Sequence, residues 1–263
     1  MTVVAPVTAA RPQRGSSAED LQIAGLVPMS SVDWPGRLTA TAFCQGCPWR
    51  CTYCHNRAIL STRTPGQVPF AALEDLLRRR RGLLDGVVFS GGEATAQHAL
   101  VPAARRVREL GFSVGLHTGG AFPARLRSLL GIGADGERAG EPLVDWVGFD
   151  VKAAPTGYAA LVGRSTAGAR AGESLAILLA SGVDHELRMT VTPSLVEQVP
   201  AVVELVAQAG GRALTLQRVR ADGTEQAFAA HLGAVVDWPR RFDACAQAAQ
   251  ARGDALGVAV RAR

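Results

Sequence analysis

The sequence has few aromatic residues, few cysteines and no long apolar run. Of its 263 residues, 5% are aromatic and five are cysteine, whereas 48% are hydrophobic. The core must therefore be built mainly from Ala, Val and Leu. An odd number of clustered cysteines argues against a disulfide framework and for metal binding. No stretch approaches the roughly 20 apolar residues that a membrane span needs, so we expect no membrane association.

The N-terminal segment also lacks the features of a secretory signal, since no basic region is followed by an apolar one. Its Pro, Ser, Ala and Arg content predicts a disordered tail over residues 1–20. Residues 21–263 are long enough for one α/β domain with a C-terminal extension, of which residues 221–263 indicate no function. We expect the protein to be cytoplasmic.

The chain is basic, with a formal net charge of +5. A basic protein can bind nucleic acid or an acidic partner. The densest basic run, residues 78–81, ends a predicted helix, where positive charge is favoured by the helix dipole. Because such runs are usually solvated, we predict no direct binding of nucleic acid.

Strand-like and helix-like segments alternate along the chain. This alternation predicts a parallel sheet with right-handed crossovers, in the form of a partial (β/α)6-type barrel with parallel strands. Functional groups in such barrels lie at the carboxyl ends of the strands. Strands are predicted at residues 37–43, 86–90, 112–116, 145–151, 185–191, 213–217 and 256–260. Helices are predicted at residues 70–84, 100–110, 122–130, 173–179, 200–208 and 239–252.

The first predicted strand leads into a cysteine-rich loop. Cys47, Cys51 and Cys54 have the spacing C-x3-C-x2-C. Three thiolates can hold three irons of a [4Fe–4S] cluster and leave the fourth iron open to a ligand. With Cys44 included, four thiolates could instead hold a structural zinc ion or an electron-transfer cluster. The cysteines alone leave these alternatives open.

Polar residues also follow the later strands. Two glycines and Glu93 follow the second strand, where backbone can approach a ligand and the carboxylate can meet an ammonium group. Asp150 and Lys152 share one face after the fourth strand. Arg188 lies between Glu186 and Thr190 on one face of the fifth strand. A polar face on a central strand is costly unless it lines a cavity, so a binding cavity is expected.

The cysteine loop resembles that of the radical S-adenosylmethionine (SAM) superfamily. The similarity includes the cysteine spacing at the end of the first strand, the aromatic Tyr53 before the last cysteine, and His55-Asn56 after it. The resemblance implies a [4Fe–4S] cluster on Cys47, Cys51 and Cys54, with SAM bound to the open iron. It also implies that Tyr53 belongs to the SAM site.

The same resemblance assigns the next two strand ends. Gly91, Gly92 and Glu93 match the family's GGE motif, which binds the amino group of SAM, although Ala94 replaces the usual proline. Thr118 matches a family threonine that contacts SAM. Its neighbours, residues 117 and 119, are His and Gly where the family often has Asp and Asn, so their contacts are not implied.

The remaining contacts are implied at the fourth and fifth strands. Asp150 and Lys152 resemble the D-x-K motif of glycyl-radical activating enzymes, which lies near the ribose and carboxylate of SAM. Arg188 lies in a strand similar to their E-x-R-x-T-V-x-P pattern, and is expected to contact the SAM carboxylate.

The most similar group is the activating proteins of anaerobic ribonucleoside-triphosphate reductases, whose S-x-x-D-(W/Y)-P-G entry matches residues 30–36. This implies that a radical formed from SAM activates a glycine of a partner reductase, with flavodoxin or ferredoxin as electron donor. Too few cysteines remain for activases that carry a ferredoxin-like insert. Radical SAM chemistry on a small molecule such as a deazaguanine precursor, another glycyl-radical partner, and a non-catalytic zinc or iron–sulfur module remain alternatives.

Overall fold

The structure, a computed structural model, describes residues 16–263. Residues 1–15 of the predicted tail lie outside this range. Residues 18–20 do not continue the tail, because Ala18–Asp20 form a turn of 3-10 helix. Ala18 is buried in the main core, where it packs with Leu21. Burial of this apolar side chain fixes the start of the folded region before residue 20.

One eight-stranded sheet forms the centre of the fold, with the strands side by side in chain order. Strands β2 to β8 are parallel, as predicted. Within residues 16–263 no pairing joins β1 to β8, so the sheet is a partial barrel. The strands are β1 Ile23–Ser30, β2 Thr39–Cys44, β3 Gly86–Gly91, β4 Ser113–Thr118, β5 Trp146–Asp150, β6 Asp184–Val191, β7 Ala213–Arg218 and β8 Ala259–Ala262.

Helices follow the strands and cover the outer face of the sheet, where most of the apolar core lies. The first helix is shorter than the predicted residues 70–84. It ends at Arg79, and Gly82 follows with a φ of 80°, a left-handed conformation in which an α-helix does not continue. The helices are α1 Phe70–Arg79, α2 Leu100–Glu109, α3 Pro123–Leu129, α4 Tyr158–Val162, α5 Ala167–Ser181, α6 Val199–Gln208, α7 Gln226–Gly233 and α8 Trp238–Leu256. None of these described helices is both long and apolar enough to cross a membrane.

Strand β1 departs from the predicted all-parallel sheet, since it pairs antiparallel with β2. The segment between them enters the barrel interior. Trp34 stacks on Trp146 with 5.6 Å between the ring centroids, and the pair packs on Val88. A side chain at position 115 would collide with this ring, because a Cβ on Gly115 would lie 2.8 Å from Trp34. The aromatic pair closes the barrel below the carboxyl ends of its strands.

Candidate functional site

A cavity opens at the carboxyl ends of β2 to β6. It lies above the stacked rings of Trp34 and Trp146, which we call the Trp34 plug. Every site residue predicted from the sequence lines this one cavity. The lining includes Cys47, Cys51, Tyr53, Cys54, Gly91, Gly92, Glu93, Thr118, Asp150, Lys152 and Arg188. Their meeting follows from parallel strands, which bring distant segments to a common edge.

The cysteine loop after β2 is fixed mainly by bonds to its own backbone. The amide of Gly46 donates to the Ile59 carbonyl at 2.8 Å, and that of Cys47 donates to Leu60 at 3.1 Å. The guanidinium of Arg50 donates to the carbonyls of Cys47 and Leu60 at 3.3 and 3.4 Å. These bonds tie the cysteine-bearing segment to residues 59 and 60 at the far end of the same loop.

The thiols of this loop lie in a poorly solvated environment. Burial and the nearby Glu93 carboxylate raise the pKa of Cys47 to about 12. Burial also raises the pKa of Cys51, while Lys152 acts in the opposite direction. Thiols bind iron as thiolates, so loading a cluster here must release protons, and the cation of Lys152 favours that step.

Three cysteines line the cavity, and Cys44 does not. Cys44 is completely buried in β2, and burial raises its pKa to about 12. The donor set at the cavity is therefore the one that a [4Fe–4S] cluster with an open iron requires. Within residues 16–263, no group of three or more His, Cys, Asp or Glu side chains is arranged to hold a single metal ion.

The glycines after β3 are required by close contact with the cysteine loop. A Cβ on Gly92 would lie 2.3 Å from the Gly46 carbonyl oxygen. Gly91 has a φ of 108°, and a Cβ there would lie 2.4 Å from the Cys44 amide nitrogen. The side chain of Asn56 donates to the Gly91 carbonyl at 2.9 Å. The two loops therefore form one unit, with glycine backbone facing the cavity.

The Glu93 carboxylate is already well bonded within the protein. One oxygen accepts bonds from the hydroxyls of Thr95 and Thr118, at 2.6 and 2.7 Å. The other accepts from the Gly119 amide at 3.0 Å. Glu93 is 3% exposed. Its contact with an ammonium group stays a prediction, while these bonds show that it joins the β3 and β4 loops.

Asp150, Lys152 and Arg188 form a charged network on one side of the cavity. Asp150 pairs with Lys152 at 3.3 Å and with Arg188 at 3.0 Å. Burial alone would raise the pKa of Asp150, but the two cations, Arg188 most of all, lower it to about 2. Burial likewise opposes the charge of Lys152, but Tyr53 and Asp150 hold its pKa well above the usual value. Two cations against one carboxylate leave net positive charge here, which suits an anionic carboxylate of a ligand.

The departures from the family motif at positions 117 and 119 have local causes. His117 Nε2 lies 2.7 Å from the Asp33 carbonyl oxygen, which only accepts, and 3.3 Å from Arg188 Nη1, which only donates. The shorter contact assigns the proton to Nε2. Its Nδ1 lies 3.2 Å from the Ser90 hydroxyl. Burial and Arg188 lower the pKa of His117 to about 4, so the ring is neutral. A Cβ on Gly119 would lie 2.4 Å from the Trp49 ring, which leaves no room for asparagine.

Several lining residues were not predicted as site residues. Trp49 and Leu60 are buried apolar walls of the cavity, and Asn56 joins the two loops. Thr190 lies one alternation beyond Arg188 on β6, so the polar period of that strand was a usable signal. Trp49 gave no such signal, because its contacts with Gly119 and Tyr158 exist only after folding.

Comparison with known proteins connects this site with a family. A family model described as the Radical SAM superfamily matches residues 41–206. That range contains all three lining cysteines and every other predicted site residue.

Two curated relatives are similar in sequence. One, from Methanocaldococcus jannaschii, is 32% identical over 132 residues, which is 49% of this chain and 50% of that protein. The other, from Haemophilus influenzae, is 32% identical over 100 residues, 37% of this chain and 38% of that protein. Both are provisionally named glycyl-radical enzyme activating enzymes. The chain thus matches half or less of the length of each.

A solved structure of QueE from Escherichia coli shares the fold. It covers 92% of this chain and 93% of its own chain, with a TM-score of 0.51 and 17% sequence identity. At this identity the similarity concerns the fold alone, and it confirms the partial barrel.

Proposed function

Because the chain belongs to the radical SAM superfamily, we propose that it is a glycyl-radical enzyme activase whose partner is an anaerobic ribonucleotide reductase. One observation carries this proposal: the cysteine loop and the predicted SAM contacts from successive strands converge on one cavity. The similarity to two curated proteins provisionally named as such activases supports the type of activity. We place the reaction in the cytoplasm, with flavodoxin or ferredoxin as electron donor.

The residues of the cavity have distinct tasks in this proposal. Cys47, Cys51 and Cys54 would hold a [4Fe–4S] cluster with one iron open to SAM. When bound, the cluster would supply the one-electron cleavage of SAM to methionine and a hydrogen-abstracting 5′-deoxyadenosyl radical, with the electron coming from the flavodoxin or ferredoxin donor. The glycine backbone of the β3 loop meets the amino group of SAM, and Lys152 with Arg188 provides positive charge for its carboxylate.

The walls of the cavity protect a reactive species from solvent. Trp49 and Tyr53 are 3% and 5% exposed, and the Trp34 plug closes the barrel from below. Exclusion of water prevents side reactions of a radical. No side-chain general base is needed, because a hydrogen atom rather than a proton leaves the substrate.

Anaerobic reconstitution tests the proposal. The loaded chain should contain about four irons and four sulfides, and should release 5′-deoxyadenosine when dithionite and SAM are added. With the partner reductase present, an electron paramagnetic resonance signal of a glycyl radical should appear on the partner. Stoichiometric zinc without SAM turnover would contradict the enzyme assignment. SAM turnover without a glycyl radical, but with a modified small molecule, would instead identify a different radical SAM reaction.

A further inference from the structure

A second cavity lies beside the first, at the carboxyl ends of β6 and β7 and the end of the chain. Thr190 and His55 line both cavities, so the two are adjacent. The other lining residues are Gln217, Arg218, Val219, Arg220 and Arg263. Three arginines therefore surround a space that continues outward from the proposed radical site.

Strand pairing and packing hold these arginines in place. The Arg218 amide donates to the Arg263 carbonyl at 3.0 Å, and the Arg263 amide donates to Leu216 at 3.0 Å, so both backbones lie at one end of the sheet. The guanidinium of Arg218 lies 5.9 Å from the centre of the Phe242 ring, a distance typical of a cation–π contact. The backbones of both residues and the side chain of Arg218 are thus held by contacts within the protein.

The loop after β7 forms the wall that carries Arg220. Its Asp222 carbonyl accepts from His55 Nδ1 at 2.6 Å, and its Glu225 pairs with Arg57 at 3.2 Å. A Cβ on Gly223 would lie 2.9 Å from the His55 carbonyl oxygen. This loop is therefore packed directly on the end of the cysteine loop.

The charge of this second cavity is poorly balanced by the protein. Arg263 pairs with Glu186 at 3.3 Å. Within residues 16–263, no carboxylate lies within ion-pair distance of Arg218 or Arg220. Guanidinium groups bind carboxylates and phosphates through paired, charge-assisted hydrogen bonds.

We propose that Arg218, Arg220 and Arg263 form an anion-binding subsite, which takes a carboxylate or phosphate group of the molecule that the radical attacks. This inference rests on the proposed function, because it assigns the second cavity to the molecule that is attacked by the radical formed in the first cavity. The anionic group belongs either to an acidic side chain of the partner polypeptide or to a small molecule. In both cases it anchors the substrate beside the cavity that holds SAM.

Direct binding tests the subsite without the cofactors. Inorganic phosphate is titrated calorimetrically into the full metal-free chain, into Arg218→Gln/Arg220→Gln, and into the control Arg105→Gln/Arg170→Gln. The control removes the same charge from exposed positions on α2 and α5. We expect phosphate to bind Arg218→Gln/Arg220→Gln at least about tenfold more weakly than the unmodified chain, and to bind the control with unchanged affinity. Equal binding by all three proteins, or none by the unmodified chain, would overturn the proposal.

A second measurement identifies the source of the anion. Cluster-loaded proteins are incubated with SAM, dithionite and the partner reductase, and the glycyl radical is quantified. A lower yield in Arg218→Gln/Arg220→Gln than in the control supports the subsite and assigns its anion to the partner polypeptide. An equal yield would overturn the assignment of the subsite to the molecule that the radical attacks, even if phosphate binding is lost. Absence of any glycyl radical with the unmodified chain counts against the proposed function, while the phosphate titration still decides the subsite.

Discussion

Cys44 lies three residues before the first proposed cluster ligand, yet the fold separates it from the cavity. It is fully buried in β2, whereas Cys47, Cys51 and Cys54 line the cavity. We expect Cys47→Ala, Cys51→Ala and Cys54→Ala each to abolish cluster binding, because each removes one of three iron ligands. Cys44→Ala should retain about four irons per chain, as should the control Cys245→Ala. Iron and sulfide analysis after reconstitution measures this, and loss of iron in Cys44→Ala would mean that the fourth iron is not open.

Glu93 shows how one residue can join two loops of a site. Its oxygens face only donors, from Thr95, Thr118 and the Gly119 amide. Glu93→Gln replaces one acceptor by a donor that meets these groups, so we expect the free energy of unfolding to fall by about 2 kcal/mol. Urea denaturation of the metal-free chain measures it. Glu141→Gln, at an exposed position, is the control, and an equal effect of both changes would contradict this interpretation.

The segment that links β1 to β2 acts as an element of the core. Trp34 is 7% exposed and stacks on Trp146 inside the barrel, whereas Val32 in the same segment is 82% exposed. Trp34→Ala should leave a cavity and lower the free energy of unfolding by about 3 kcal/mol. Val32→Ala should change it by less than about 0.5 kcal/mol. Chemical denaturation compares them, and a small loss for Trp34→Ala would show that the ring does not support the barrel.

The order of the elements was largely predictable, and strand β1 was not. Strands β2 to β7 each combine a short apolar run with a following helix, and β8 comes after α8, so their hydrophobic pattern and spacing indicated a parallel sheet. β1 has no helix after it, and its residues alternate weakly because it is an edge strand with exposed positions. Only pairing with β2 makes it a strand. The same holds for the Trp34 plug, which depends on the absence of a side chain at Gly115.

The stability of the whole molecule should depend on pH through the polar layer of the barrel. The folded-state pKa of His117 is about 4, below its unfolded value of 6.5. The unfolded chain therefore binds a proton first as the pH falls, and stability that is fully present above pH 6.5 is lost towards pH 4. The folded-state pKa of Asp150, about 2 against 3.8, extends the loss below pH 3.8.

Melting temperatures of the metal-free chain between pH 7 and pH 4 measure this dependence. His117→Gln should flatten it, because no imidazole is then kept neutral in the folded state. His231→Gln, at an exposed position on α7, is the control. An unchanged slope in His117→Gln would show that other groups govern the acid sensitivity.

The sequence by itself determined that the predicted site residues meet in one cavity, but not the apolar walls, such as Trp49, that complete it. The spacing of Cys47, Cys51 and Cys54 and the polar groups at successive strand ends are local patterns, and parallel strands necessarily collect such ends at one edge. Only the tertiary structure decided which cysteine is excluded, that His117 is neutral, and that the loop after β7 adds arginines beside the cavity. These properties arise from contacts between distant segments, which set burial and charge, and no local pattern encodes them.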